Sequence, residues 1–232
     1  MLEVNNFTNQ ILHDISFKLD IDENLIVLGK NGAGKSTLAK VLCNLISNEN
    51  VKLFDQSIQS LSENQRTKFI NYIPPKLEIF DEYITTKEYL EMSSISDIKK
   101  DRINEIIALL KLENVKDRYC INLSSGEQQL LLLASAFIHN AEITIFDELT
   151  ANLDISRVKE VFDIFKSVSL KQKIIITHNL DLAYNLKYKV LFLEDGKVEF
   201  FGSSNEFFEL ENLNKFYNNS IKIVDNHLVV NL

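Results

Sequence analysis

The chain has 232 residues and a formal net charge of −8, and 45% of its residues are hydrophobic. This length allows one substantial core, and the acidity argues against a general nucleic-acid-binding protein, which would present a basic surface. Cys43 and Cys120 fit no zinc or redox spacing and are expected to be free thiols in a reducing compartment. No signal-peptide pattern is present, and no apolar run approaches the roughly 18 residues of a membrane span.

The N-terminal part alternates apolar and polar residues as strands do, at residues 2–4 and again at 15–19. The continuous apolar run at 25–28 predicts a strand buried on both faces of a parallel sheet. After Gly29 the apolar period becomes helical. The apolar positions of this predicted helix are Leu38, Val41, Leu42 and Leu45.

Helical patterns dominate between about residue 78 and residue 140. The stripe of Ile103, Ile106, Ile107 and Leu110 is typical of an amphipathic helix. Residues 143–146 and 174–176 are then two more buried-strand candidates, and 190–201 predict a hairpin around Asp195-Gly196, a type I′ turn signal. We therefore expect a single domain, with an α/β core at 1–77 and 141–232 and an inserted helical subdomain at 78–140.

A small polar turn precedes an almost entirely apolar helix in the sequence LSSGEQQ, at 123–129. Either Ser124 with Glu127 or Ser125 with Gln128 can form a capping box at the helix start. Helix N-termini of this kind also bind phosphate, because their backbone N–H groups and dipole favour negative charge. The turn therefore allows two uses, helix capping and phosphate binding.

The strongest chemical signal is GKNGAGKST, from Gly29 to Thr37, between a predicted strand and a predicted helix. This pattern is a phosphate-binding loop, or P-loop. Gly32 and Gly34 let the backbone wrap a phosphate, Lys35 supplies charge to the β- and γ-phosphates, and the Ser36 hydroxyl can ligate Mg²⁺.

Polar residues follow two of the other predicted strands. In ITIFDE, Asp147 and Glu148 come directly after a buried strand, at the sheet edge where α/β proteins hold ligands. Asp147 is expected to hold Mg²⁺ and Glu148 to orient or deprotonate the attacking water. His178 follows the strand at 174–176, where it can contact the γ-phosphate or serve a structural purpose.

Together these motifs resemble the nucleotide-binding subunit of ATP-binding cassette (ABC) transporters, from about residue 1 to about residue 220. The order is that of the family: P-loop, helical insertion, signature turn, acidic strand end, D-loop and switch histidine. The resemblance implies a P-loop NTPase core with a mostly parallel sheet, flanking helices and an N-terminal antiparallel part. It also implies Mg²⁺-dependent ATP hydrolysis, with catalytic roles for Lys35, Glu148 and His178, and Mg²⁺ ligands at Ser36 and Asp147.

The resemblance also assigns the nucleotide contacts. In the family two cassettes pair head to tail, so that the signature turn of one closes on the γ-phosphate held by the other. In the family an aromatic residue of an early hairpin contacts adenine. Phe7 stands at roughly the family spacing before Lys35 and is expected either to stack on adenine or, equally, to be an apolar residue that ends the first strand. In cis the implied contacts are Phe7, Gly29, Asn31, Gly32, Ala33, Gly34, Lys35, Ser36 and Thr37; in trans they are Ser124, Ser125, Gly126 and Glu127, and Asp154 belongs to the D-loop.

Three positions depart from the family pattern. Pro75 stands where a glutamine is common, and proline offers neither a side-chain amide nor a backbone N–H. Ser125 replaces a signature glycine, where a left-handed backbone would cost about 1 kcal/mol. Leu149 replaces a proline and is expected to matter little. We expect hydrolysis to survive, because the P-loop, acidic and switch residues all remain.

Residues 53–74 and 210–224 are similar to the corresponding stretches of importer ATPases for iron chelates, haem and cobalamin. This favours a metal-chelate importer acting as a homodimer on the inner face of the cell membrane. Its partners would be permease subunits and a substrate-binding protein, without nucleic acid. Two alternatives stay open: a non-transport ABC ATPase, and a nucleotide-binding switch whose hydrolysis is weakened by Pro75.

Overall fold

The computed structural model describes residues 1–95, 100–150, 153, 155–167, 170–225 and 227–231, with the backbone alone at 100, 155, 156 and 167. The strands are β1 (Leu2–Phe7), β2 (Ile15–Leu19), β3 (Leu25–Gly29), β4 (Val51–Leu53), β5 (Gln56–Ser57), β6 (Ile70–Ile73), β7 (Ile143–Asp147), β8 (Gln172–Ile176), β9 (Lys189–Glu194), β10 (Lys197–Gly202), β11 (Ile221–Val224) and β12 (His227–Val230). The helices are α1 (Lys35–Leu42), α2 (Glu63–Phe69), α3 (Thr86–Met92), α4 (Lys100–Leu109), α5 (Ser125–His139), α6 (Ile155–Ser167), α7 (Leu180–Leu186), α8 (Ser204–Phe207) and α9 (Leu210–Tyr217).

The chain folds as two compact units, the first formed by residues 1–61 and 172–232. One sheet of this unit has the strand order β2-β1-β4-β5, and its pairs are antiparallel. Leu2 lies between Leu19 and Leu53 in this sheet, and all three are fully buried. The alternation seen in the sequence therefore gives this sheet its buried face.

A second sheet of the first unit runs in the order β10-β9-β3-β8. The β3–β8 and β3–β9 pairs are parallel, and β10 is antiparallel to β9 at the edge. Residues 25–28 of β3 are fully buried, as expected for a strand covered on both faces. Because the three parallel strands share a direction, their carboxyl ends meet at one edge, where Gly29 ends β3.

The second unit comprises residues 62–171. Strands β6 and β7 pair in parallel, with Ile70 opposite Ile143 and Ile73 opposite Phe146. Helix α5 contacts α3, α4 and β6, and nearly every one of its residues from 129 to 138 is apolar and buried. A helix that is apolar on most of its surface needs such neighbours on several sides.

The structure confirms the predicted strands, the antiparallel part and the Asp195-Gly196 turn, whose two residues both have positive φ. The predicted α1 is too long, because the helix ends at Leu42 and Asn44 takes a left-handed conformation. Leu45 is consequently 64% exposed. The predicted helical subdomain, 78–140, lies within the second unit, which also contains β6 and β7, since α2 and α5 contact β6 and β6 pairs with β7.

Both cysteines are buried free thiols. Among the residues that the structure describes, no helix combines the length and the apolar character needed to cross a bilayer.

Candidate nucleotide site

The P-loop connects β3 to α1 in the first unit. Gly29 ends the strand, residues 31–33 form a turn in which the N–H of Ala33 bonds the carbonyl of Lys30, and Gly34 caps the helix at φ 99°. A side chain at Gly34 would be strained at this φ. The helix then begins at Lys35, so its first-turn N–H groups point towards the loop, as an anion site requires.

Lys35 occupies the mouth of this loop. It is 7% exposed, and its Nζ donates hydrogen bonds to the carbonyl oxygens of Gly29 at 2.8 Å and Lys30 at 3.1 Å. Ser36 is exposed and Thr37 is half-buried on the same helical turn. An ammonium held by two carbonyls is positioned for phosphate oxygens that enter the loop.

His178 lies at the sheet edge that carries the P-loop. Val27 of β3 pairs with Ile176 of β8, and the N–H of Thr177 donates to the carbonyl of Val27. His178 is the next residue and is exposed. Asn179, the N-cap of α7, accepts a hydrogen bond from the N–H of Leu182 and fixes where that helix begins. The structure therefore brings the switch histidine and the P-loop to one edge of one sheet.

Asp147 ends β7 in the second unit and is fully buried. The Tyr72 hydroxyl on neighbouring β6 donates to its Oδ2 at 2.9 Å. Within the described part of the chain, no hydrogen-bond partner reaches its Oδ1, which is also buried. A buried carboxylate oxygen without a donor is costly unless a cation completes its surroundings. Asp147 therefore fits the carboxylate ligand of a Mg²⁺ ion, which prefers oxygen donors.

Glu148 follows with a left-handed backbone, φ 51°, and is half-buried. This conformation is uncommon outside glycine and costs about 1–2 kcal/mol. Backbone strain of this kind concentrates at functional sites, where it redirects a side chain. The next two residues, Leu149 and Thr150, are buried, so packing fixes the segment that follows this turn.

The signature turn opens α5 with the first of the two predicted capping boxes. The Ser124 hydroxyl accepts from the Glu127 N–H, and the Glu127 carboxylate accepts from the Ser124 N–H at 2.7 Å. The hydrogen bond from the Ser124 N–H and the nearby Arg118 charge lower the pKa of Glu127. The box therefore stabilises the fold above the usual carboxylate range and weakens as the pH falls through it.

The two small residues that follow carry no strain. Ser125 is the first residue of α5 and is helical, so the replacement of glycine needs no left-handed backbone. A Cβ added to Gly126 would meet, among the described residues, only Leu153 at 3.9 Å, which is ordinary contact. Packing among the described residues of the second unit therefore does not explain why this position is a glycine.

Gln129, which the sequence analysis did not single out, links α5 to the position of the replaced glutamine. It is buried, and its Nε2 donates to the carbonyl oxygen of Pro75 at 2.7 Å. A backbone carbonyl remains available at any residue type, so the proline keeps this contact. The sequence signal that could have revealed it is a polar residue on an otherwise apolar helix.

Two predicted contacts need separate mention. The Phe7 side chain lies in the antiparallel sheet opposite Ile15 and is only 5% exposed, so contact with adenine would require its ring to leave the core. The D-loop residue Asp154 lies outside the described residues.

The sequence pattern of one family, described as ABC transporter, matches residues 12–151. The chain belongs to the ABC transporter family. The energy-coupling factor transporter ATP-binding protein of Fusobacterium nucleatum is 32% identical over 98% of this chain and 95% of its own length. The arginine transport ATP-binding protein of Haemophilus influenzae is 30% identical over 86% of this chain and 89% of its own length. A putative ABC transporter ATP-binding protein of Clostridium tetani is 28% identical over 96% of the chain, which spans only 54% of that relative.

Solved structures of ABC proteins share the fold. A dimeric ATP-binding cassette in a post-hydrolysis state, bound to ADP and Pi, superimposes with a TM-score of 0.76 over 88% of this chain and 99% of its own, at 19% identity. A putative metal-chelate type ABC transporter in an inward-facing conformation superimposes with a TM-score of 0.77 over 100% of this chain and 97% of its own, at 20% identity. The ABC cassette fold, a P-loop NTPase with an antiparallel part and a parallel sheet, is thus confirmed. ABC ATPases bind ATP with Mg²⁺ and hydrolyse it.

Proposed function

We propose that this chain is the ATP-hydrolysing subunit of an ABC transporter that imports a metal chelate of the iron–siderophore, haem or cobalamin type. ATP drives two copies together head to tail, and the closed pair energises permease subunits at the inner face of the membrane. A substrate-binding protein delivers the chelate. The mechanism in trans rests on Gly126, whose lack of a side chain is not required by packing against the described residues.

Several of the predicted site residues have roles in this mechanism that are consistent with their surroundings. The P-loop backbone and Lys35 hold the β- and γ-phosphates, and His178 contacts the γ-phosphate from the same sheet edge. Ser36 and Asp147 would be the protein ligands of a Mg²⁺ ion, whose charge would offset that of the phosphates. Glu148 orients the attacking water and accepts its proton. Ser124 and the N–H groups of Ser125 and Gly126 present donors to the γ-phosphate of the partner copy, since the Glu127 N–H is already used in the capping box.

A groove in the second unit favours a membrane subunit over a soluble function. It has a volume of about 670 Å³ and is lined by Asp81, Tyr83, Ile84, Glu88, Glu91 and Met92. Tyr83 and Met92 are strongly exposed, and Phe80 beside them is 96% exposed. Exposed apolar groups rimmed by charge mark interaction sites, and the acidic rim selects a basic partner. We assign this acidic groove to a basic, apolar helix of the permease.

The chelate class rests on the importer-like sequences at 53–74 and 210–224. The relatives named for arginine transport and energy coupling show that related cassettes serve other transporters. Transport assays with the co-purified permease therefore decide the substrate. Uptake of a chelate supports the proposal, and uptake of an amino acid alone contradicts its substrate class.

Capture of the tagged chain from gently solubilised membranes tests the transporter function. With Glu148→Gln and ATP present, we expect a polytopic permease to co-purify, because the trapped nucleotide state keeps the assembly closed. Glu91→Lys in the same background reverses charge on the rim of the acidic groove and should reduce the recovered permease at least about tenfold. Asp163→Lys, the same kind of change at an exposed position of α6, is the matched control and should retain it.

Recovery of no membrane protein with any variant would favour a non-transport ABC ATPase. Equal recovery of the permease with Glu91→Lys and Asp163→Lys would support the transporter function but show that the acidic groove does not bind the permease.

A further inference from the structure

The C-terminal hairpin, formed by β11 and β12, packs against the helix that follows the switch histidine. Val224 lies opposite His227 beside its turn, and at its other end the Asn231 N–H donates to the Ser220 carbonyl at 2.8 Å. A two-stranded hairpin is only marginally stable by itself. Here β12 contacts α7 and β11 contacts α9, all within the first unit. The place of the hairpin in the fold therefore depends on these two helices.

Asp181, in the first turn of α7, makes polar contacts with this hairpin. Its Oδ1 accepts a hydrogen bond from the Leu228 N–H at 3.2 Å. The His227 Nδ1 lies 3.1 Å from Oδ1 and 3.2 Å from Oδ2. Because a carboxylate offers only acceptors, this contact requires the proton on Nδ1. The Asn185 Nδ2, one turn further along α7, also donates to Oδ1, at 3.3 Å. The Asp181 carboxylate thus joins the hairpin to the start of the helix.

This contact falls at a helix end that needs support from elsewhere in the fold. Helix α7 has seven residues, too few to be stable through local interactions alone. Its buried positions are Leu182, Ala183 and Leu186. The Asn179 side chain accepts from one first-turn N–H, that of Leu182, yet helix ends fray even when capped. The hairpin contact at Asp181 therefore adds a tertiary constraint to the first turn.

His178 lies between this first turn and the end of β8. On the sheet side, the Thr177 N–H donates to the Val27 carbonyl at 3.2 Å. On the helix side, Asp181 is three residues further along the chain. The short segment that carries the histidine is therefore held at both ends, by the sheet and by the hairpin.

We propose that the C-terminal hairpin positions the switch histidine. By holding the first turn of α7 at Asp181, it fixes the direction in which the His178 ring meets the γ-phosphate. Asp181 and His227 are then positioning residues that act through His178. The inference rests on the proposed function, which gives His178 its contact with the γ-phosphate, and it adds the element that orients this contact.

Steady-state ATP hydrolysis by the full chain tests the catalytic consequence. The P-loop supplies most of the phosphate binding, so a misplaced His178 should lower kcat and leave KM nearly unchanged. For Asp181→Ala we expect a fall in kcat of at least about fivefold, with KM within about twofold. His227→Ala, which removes a contact from the hairpin side, should give a smaller fall. Asp181→Asn should restore most of kcat, because its amide oxygen still accepts from the Leu228 N–H.

The matched control is Glu211→Ala. Glu211 is an exposed carboxylate in the first turn of α9, so this variant removes the same charge from the start of another helix of the same unit. It should leave kcat unchanged. An effect of Asp181→Ala alone would therefore belong to the hairpin contact and not to the loss of a helix-start charge.

NMR signals of isotopically labelled histidine rings report the position of His178 without ATP. The chain has four histidines, and His178→Gln identifies the signal of this one. The His178 signals should move in Asp181→Ala and His227→Ala and stay in place in Asp181→Asn and Glu211→Ala. A contact that only stabilises the fold would leave these signals unmoved at a temperature where every variant is folded.

Three results would overturn the proposal. The first is an unchanged kcat in both Asp181→Ala and His227→Ala, and the second is a fall in kcat while the His178 signals stay in place. The third is an equal loss of kcat in Glu211→Ala, which would assign the effect to charge. If the unmodified chain hydrolyses no ATP, the proposed function fails, whereas the His178 signals still decide whether the hairpin positions this ring.

Discussion

Replacing Glu148 by glutamine should reduce steady-state ATP hydrolysis by about 10²–10⁴-fold while leaving ATP binding intact. Glutamine has the shape of glutamate but cannot accept the proton of the attacking water. The φ of 51° at this residue shows that the fold turns its backbone sharply after β7. Glutamine keeps the same backbone and side-chain length, so the free energy of unfolding should change by less than about 0.5 kcal/mol.

Phosphate release and ATP affinity, measured on the same preparation, check this prediction. Glu113→Gln, at an exposed glutamate of the same unit, is the matched control and should hydrolyse ATP within about twofold of the unmodified chain. Hydrolysis by Glu148→Gln at the unmodified rate would show that another group activates the water.

Replacing Lys35 by alanine should reduce both ATP affinity and hydrolysis, the latter by at least about 10²-fold. The ammonium is almost fully enclosed and already bonded to the carbonyls of Gly29 and Lys30, so water cannot substitute for it at the phosphates. Lys35→Arg should not restore activity, because a planar guanidinium differs in shape from a point-like ammonium.

Calorimetric titration with ATP, together with phosphate release, measures both losses. Lys40→Ala removes an exposed lysine of the same helix and should leave ATP affinity unchanged. If Lys35→Ala binds ATP as tightly as Lys40→Ala does, the loop does not hold the phosphates in the way described.

Local motifs made the elements that carry the predicted phosphate site recognisable from the sequence. The P-loop follows from one run of residues between a buried strand and a helix, and Asp147, Glu148 and His178 each follow a strand of apolar residues. In each case the hydrophobic pattern and the motif are formed by residues that are close together in the sequence, so a single sequence is enough to recognise them. The capping box was predictable as one of two choices, and the structure selects Ser124 with Glu127.

Contacts between distant parts of the chain were not predictable. The end of α1 depends on Asn44 taking a left-handed conformation, whereas the apolar spacing extends to Leu45. The burial of Phe7 depends on its pairing with Ile15. The bond from Gln129 to Pro75 spans 54 residues. A single sequence can mark Gln129 as a polar residue on an apolar helix, but it does not identify the partner in such pairs.

The steady-state rate of ATP hydrolysis, measured with Mg²⁺ over a wide range of protein concentration, tests the central claim most directly. A site completed by two copies predicts a rate that rises faster than linearly with protein concentration and becomes linear once the copies are paired. A rate proportional to concentration throughout would contradict the composite site. No hydrolysis at any concentration, with activity gained in Pro75→Gln, would instead identify a nucleotide-binding switch.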